Sequence, residues 1–140
     1  MLAAADLDHV ALRVRNLATA LHFWHELLGL PLVNAVELEA GAARMATLSI
    51  GGRLIDLVPD PAAAPAGGEP RAGLVHLCVT LPDGTDMEAA ARRLREAGVT
   101  VLEGPVERQG ARGAGWSLYV RDQDGNELEI KSYPRRNEAP

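Results

Sequence analysis

The chain of 140 residues contains a single cysteine, Cys78. That excludes an intrachain disulfide framework and a cysteine-rich zinc site. It also lacks a basic excess: Lys+Arg total 14 against 19 Asp+Glu, a formal charge of −5. No basic excess exists to neutralise a phosphate backbone, so nucleic acid is not an expected partner. No apolar run approaches the ~20 residues that span a bilayer. The start, Met1 to Asp6, shows neither a basic n-region nor a long apolar segment, so no secretory signal is expected. Hydrophobic residues make up 47% and charged residues 24%, an ordinary balance for a folded domain. These properties predict one cytoplasmic domain over residues 1–140 with a small-molecule or protein partner.

What is present is a faint internal repeat. Leu7-Asp8-His9-Val10-Ala11-Leu12-Arg13-Val14 opens the first half, and Leu74-Val75-His76-Leu77-Cys78-Val79-Thr80 opens the second. Each is followed by a helical stretch ending at a glycine, Gly29 or Gly98. Each half closes on an acid inside an apolar run: Leu54-Ile55-Asp56-Leu57-Val58 and Glu127-Leu128-Glu129-Ile130. Two copies argue for duplicated modules, since a solenoid needs three or more stacked units. Residues 59–73, rich in proline and glycine, read as a linker between module 1 (6–58) and module 2 (74–133).

Each module reads as β-α-β-β-β. In the first, strands are expected over 7–14, 32–38, 44–50 and 53–58. Its helix begins after Asn16 as N-cap and carries a stripe of Leu17, Leu21, Trp24 and Leu28. In the second, strands are expected over 74–80, 99–103, 116–121 and 127–132. Its helix covers about 85–97, burying Met87, Ala90, Leu94 and Ala97. The glycine-rich stretch from Gly104 to Gly115 reads as a mobile loop in which Arg112 meets an anionic substrate.

A strand places residues i and i+2 on one face. His9 therefore aligns with Leu7 and Ala11, Asp56 with Leu54 and Val58, His76 with Leu74 and Cys78, and Glu129 with Glu127 and Lys131. Taken singly, each polar residue has a plain structural role: a hydrogen-bonded strand histidine, a turn-capping aspartate, a solvated glutamate. Together, at repeat-equivalent positions, two imidazoles and two carboxylates form a donor set suited to zinc, or to an octahedral iron(II), manganese, nickel or cobalt ion. His22 and His25 read as helix-flank residues, and Cys78 as a small buried hydrophobe. Trp116 and Tyr119 alternate faces of one strand. One is expected in the core and the other at the substrate.

These residues resemble the vicinal oxygen chelate superfamily, which includes glyoxalase I, extradiol dioxygenases, fosfomycin-resistance enzymes and bleomycin-binding proteins. The resemblance is carried by the two His-bearing strands, the acid-bearing closing strands and the run Asp122-Gln123-Asp124-Gly125-Asn126-Glu127-Leu128-Glu129-Ile130. It implies an α+β fold of paired βαβββ modules, a cup-shaped mixed sheet around one divalent metal, and a homodimer. It implies His9, His76 and Glu129 as ligands, with Asp56 where glyoxalase I carries a glutamate. Aspartate is one methylene shorter, which leaves two cases. Four ligands suit lyase or isomerase proton transfer, with Glu129 or Asp56 as base. Two histidines and Glu129 alone form the facial triad of iron dioxygenases. A metal-free binding protein of the bleomycin-resistance type is the alternative. Lys131 departs from the family pattern. It is expected to face inward, to pair with Glu129, bind substrate carboxylate or extend to solvent. With Arg112, Tyr119 and Trp116 it completes the expected substrate contacts.

Overall fold

The computed structural model describes residues 5–63 and 74–135. The expected linker, 59–73, lies largely outside them. The chain divides into two compact units, Met1–Pro65 and Ala66–Pro140.

The first unit holds strands β1 (His9–Val14), β2 (Ala46–Ile50) and β3 (Arg53–Pro59) in the order β1-β3-β2. β1 runs parallel to β3, and β2 runs antiparallel to it. Gly51 and Gly52, both at positive φ, make the two-residue turn joining β2 to β3. Alternation sends Leu12, Val14, Ala46, Leu48, Ile55 and Leu57 to the buried face, against Ala20, Phe23 and Trp24. Each large aliphatic side chain buried there contributes about 1.5–3 kcal/mol.

The first helix starts as expected, with Asn16 Oδ1 accepting the Thr19 amide at 3.0 Å. After α1 (Leu17–Leu21) it widens into a π-helical turn over His22–Leu27. The wider turn rotates the inward face, so Phe23 joins Trp24 in the core, while Leu17, Leu21 and Leu28 of the expected stripe are only half-buried. Phe23 and Trp24 meet edge-to-face at 5.4 Å.

The strand expected over 32–38 is cut short. Ser49 N donates to Pro31 O and Val33 N to Thr47 O, and then pairing stops. Asn34 takes over the strand's edge contacts: Oδ1 accepts from Thr47 N and Nδ2 donates to Met45 O. The chain then turns into α2 (Ala35–Glu39). Alternating Val36 and Leu38 suggested a strand, but Ala, Glu and Leu are strong helix formers and Val36 is exposed.

The second unit holds β4 (Leu77–Thr80), α3 (Met87–Glu96), β5 (Thr100–Gly110), β6 (Gly113–Arg121) and β7 (Glu127–Ser132). The strand order is β4-β7-β6-β5, with β4 parallel to β7 and the other pairs antiparallel. Asp86 caps α3 by accepting the Ala89 amide. The helix buries Met87, Ala91 and Leu94, while Ala97 is exposed. These side chains lie on the face that carries Leu118, Val120, Leu128 and Ile130, all buried.

The loop expected over 104–115 is instead a β-hairpin. β5 continues to Gly110 and β6 begins at Gly113. Two register shifts, between Val101 and Glu103 and between Glu103 and Val106, absorb Gly104-Pro105. A bulge of this kind lets proline sit in a ladder it cannot fully serve. The strands and few helices form the α+β fold expected from sequence.

Candidate functional site

In each unit the acid-bearing strand lies parallel to a strand that begins at the histidine (His9 in β1) or directly after it (His76 before β4), and the register is the same. Ala11 stands across from Asp56, and Cys78 across from Glu129. His9 and His76 each lie two residues before those partners. The repeat seen in sequence is therefore a repeat of register, which puts one imidazole and one carboxylate on the same face of each sheet.

In the second unit this face is closely knit. His76 Nε2 is 3.2 Å from Glu129 Oε2. The other oxygen, Oε1, accepts a hydrogen bond of 2.6 Å from Ser117 Oγ. It also lies 3.2 Å from Lys131 Nζ. Lys131 Nζ donates to Ser117 Oγ at 2.7 Å and to Arg108 O at 2.9 Å. Ser117, Glu129 and Lys131 expose 0, 6 and 2% of their surface. Lys131 therefore does not extend to solvent, and three acceptors meet its three protons. Burial opposes ionisation of Glu129. The hydrogen bonds from Ser117 and Lys131, with the charges of Lys131 and His76, prevail and hold its carboxyl below the usual range.

Tyr119, across from Glu129 in the antiparallel ladder, meets His76 edge-to-face at 5.6 Å. Burial and then the Glu129 charge raise its hydroxyl pKa. The Arg108 guanidinium lies 6.0 Å over the Tyr119 ring and pairs with Glu103 at 2.8 Å. Cys78 is an exposed residue rather than a buried one. Its sulfur is partly sunk beside Glu129, and burial followed by the Glu129 charge pushes the thiol up to about 11.

In the first unit the donors are more open. Thr47 Oγ1 donates to Asp56 Oδ1 at 2.7 Å. His9 Nδ1 contacts Asp8 Oδ1 at 2.7 Å. That bond, opposed by desolvation and aided by the Asp8 and Asp56 charges, raises the His9 pKa. Val58 holds the ladder position that Lys131 holds in the second unit, two residues after the acid. It is apolar and 37% exposed.

The remaining expected contacts are scattered. Arg112 makes a two-pronged pair with Asp83, at 2.7 and 3.0 Å, and lies 4.1 Å over the Tyr133 ring. Trp116 shares the Leu118 and Val120 face of β6, opposite to Glu129, and is 51% exposed. His22 pairs with Glu26, and His25 with Leu30 O. Among the described residues, no three His, Cys, Asp or Glu side chains are drawn together as a metal cluster. The donor pairs, one imidazole and one carboxylate per sheet, are of the type that zinc and octahedral divalent metals take. Sequence reasoning missed Asp8, Thr47, Ser117 and Arg108. Ser117 was within reach, because counting back across the β6–β7 turn sets it opposite Lys131.

Residues 6–130 match the family model of the Glyoxalase/Bleomycin resistance protein/Dioxygenase superfamily. The chain belongs to this superfamily. It is 32% identical to Virulence protein STM3117 of Salmonella typhimurium over 91% of this chain and 83% of that one. It is likewise 32% identical to the Glutathione transferase FosA of Serratia marcescens, over 89% and 79%. Among solved structures, an integron cassette protein from the mobile metagenome of V. cholerae superposes with a TM-score of 0.70. It is 32% identical, covering 95% of this chain and 98% of that one. Members of the superfamily commonly bind a divalent metal. Among the described residues no helix is long and apolar enough to cross a membrane.

Proposed function

We propose that this superfamily member is a metal-dependent enzyme acting on a small substrate with vicinal oxygens. One observation carries the reading. The histidine stands two residues before the acid's ladder partner in both units, and in the second unit the two side chains are 3.2 Å apart. Of the two acids only Glu129 is buried, where a carboxylate must be compensated, and its Oε2 is the oxygen turned to the imidazole. The proposed ligand set is His9, Asp56, His76 and Glu129, each module supplying one histidine and one acid.

A divalent ion held by these residues supplies Lewis-acid stabilisation of negative charge on substrate oxygen. The chain's own groups divide the remaining work. Asp8 at Nδ1 leaves the Nε2 of His9 as the ligating nitrogen, the arrangement common for metal-bound histidines. Glu129, pinned by Ser117 and Lys131 and held ionised, is suited to holding rather than to taking up a proton. Asp56, with Thr47 as its donor, has the simpler surroundings, and we assign it the proton-accepting role. Tyr119 and Arg108 border His76 and Glu129, so they line the substrate side. The reaction is then proton transfer of the lyase or isomerase type. Dioxygen chemistry is the second form, for the case in which Asp56 does not bind metal.

The test is metal analysis of protein purified without added metal or an affinity tag, for the native chain and for His76→Ala and Asp56→Ala. Near one metal per chain, lost in His76→Ala and weakened in Asp56→Ala, supports the four-ligand reading. Iron retained by Asp56→Ala, with oxygen uptake on catechol-type substrates, supports the dioxygenase form. No metal in the native chain, and none taken up on titration, overturns the enzyme reading in favour of a binding protein.

A further inference from the structure

Lys131 stands where the first unit has Val58, and its side chain is 98% buried with its ammonium 3.2 Å from the acid proposed as a metal ligand. We infer that Lys131, bridged by Ser117, is a positioning residue. It restricts Glu129 to a single metal-directed oxygen and weakens the site's hold on a divalent cation. The inference rests on the metal reading above, and it concerns the second unit alone.

The two oxygens of Glu129 have different surroundings. Oε1 accepts the Ser117 hydroxyl and faces the Lys131 ammonium. Oε2 is the oxygen on the His76 side, 3.2 Å from Nε2. A carboxylate that grips a cation with both oxygens must free Oε1, which here means breaking a 2.6 Å hydrogen bond in a dry environment. Such bonds between a hydroxyl and a charged oxygen are among the strong ones. The arrangement therefore leaves one oxygen for a ligand beside His76.

Charge gives the second half of the argument. Lys131 and Glu129 cancel, so this half-site offers a divalent cation no net negative charge. The like charge of the ammonium, held at low dielectric, repels the arriving ion. A metal held this way binds less tightly and is left more electron-poor, which favours polarising a substrate oxygen. The sequence has made room for the device. A Cβ on Gly110 would come within 3.0 Å of Lys131 Cε and would also strike the Tyr133 hydroxyl. The carbonyl of Arg108 takes the third ammonium proton, so the lysine is fixed on every side.

A merely structural lysine and a positioning lysine predict opposite results. Removing a structural support loosens metal binding. Here Lys131→Met is expected to tighten it, by roughly 10–100-fold, the size that groups flanking metal ligands usually carry. Zinc(II) and cobalt(II) are titrated into chelator-treated native protein and Lys131→Met by calorimetry. The cobalt absorption spectrum is expected to change between the two as Oε1 joins the ligand set. Without metal, Lys131→Met is expected to melt roughly 10 °C lower, since it strands a buried carboxylate. Adding Glu129→Gln to it should recover at least half of that loss.

Should Lys131→Met fail to fold, Ser117→Ala retains both charges and releases the shortest bond to Oε1. It is expected to shift metal affinity in the same direction by a smaller factor. Native protein that binds metal, with variants that bind it equally or less tightly, overturns the inference and leaves the metal reading standing. Metal uptake by no protein overturns both. Uptake by Lys131→Met alone overturns the metal reading for the native chain and, with it, the positioning role of Lys131.

Discussion

His76 Nε2 and Glu129 Oε2 lie 3.2 Å apart, brought together by parallel strands whose register sets Cys78, not His76, across from the acid. The diagonal is what makes the pair useful. A residue directly opposite in a ladder points alongside its partner, whereas one two positions earlier reaches over the same face toward it. The Ala11–Asp56 pairing repeats the diagonal for His9.

The pH dependence of stability follows from Glu129. Its carboxyl is held below the ordinary 4.5, so in the folded state it gives up its proton more readily than in the unfolded chain. Its contribution is therefore fully present above about pH 4.5 and is lost as pH falls through the folded value. Denaturant unfolding of native protein and Glu129→Gln at pH 7, 5 and 3.5 checks this. The native chain should lose stability more steeply across the range. Equal slopes for the two proteins would show that Glu129 is not the group responsible.

Gly104 is a position where no side chain fits. Its φ is +105°, and a Cβ would overlap the carbonyl oxygen of Ser117 and approach Leu118 Cα to 3.1 Å. Those neighbours are backbone, so they cannot swing aside. Gly104→Ala is expected to cost about 3 kcal/mol or more, combining strain at positive φ with overpacking. The loss should be accompanied by weaker metal binding, because the displaced strand carries Ser117. Unfolding midpoints within 0.5 kcal/mol of native, by the roughly ±0.5 kcal/mol expected of surface changes, would refute the close approach.

Much of the fold was legible because strand alternation is a strong pattern. His9, Asp56, His76 and Glu129 could each be assigned a face from their neighbours alone. Three features were hidden for physical reasons. Residues 32–38 alternate like a strand, yet Asn34 satisfies the sheet edge with its side chain and frees the chain to coil into α2. Glycine from 104 to 115 reads as a loop, but the cross-strand ladder from Val106 to Gly110 overrides that local signal. The link from Lys131 through Ser117 to Glu129 spans two strands. It depends on register, which no single segment encodes.

The β6–β7 turn is what sets that register, and Asp122 holds the turn. Its Oδ1 accepts the amides of Asp124 at 2.9 Å and Asn126 at 2.8 Å, and its Oδ2 accepts Asn126 Nδ2 at 2.9 Å. The residue is 6% exposed, so water does not replace these bonds when they are lost. Burial raises the Asp122 pKa despite the three donors. Asp122→Ala strands buried amide donors at a cost of about 1–3 kcal/mol each where no water enters. A total of about 2–4 kcal/mol is expected after the turn relaxes. Asp122→Asn keeps an acceptor for the two amides and should recover a large part of it. Chemical denaturation of both variants measures the cost, and exchange of the β7 amides reports whether the ladder loosens with the turn. If Asp122→Ala unfolds like the native chain, the turn is held by its backbone alone. The placement of Glu129 across from Tyr119 must then come from the strands themselves.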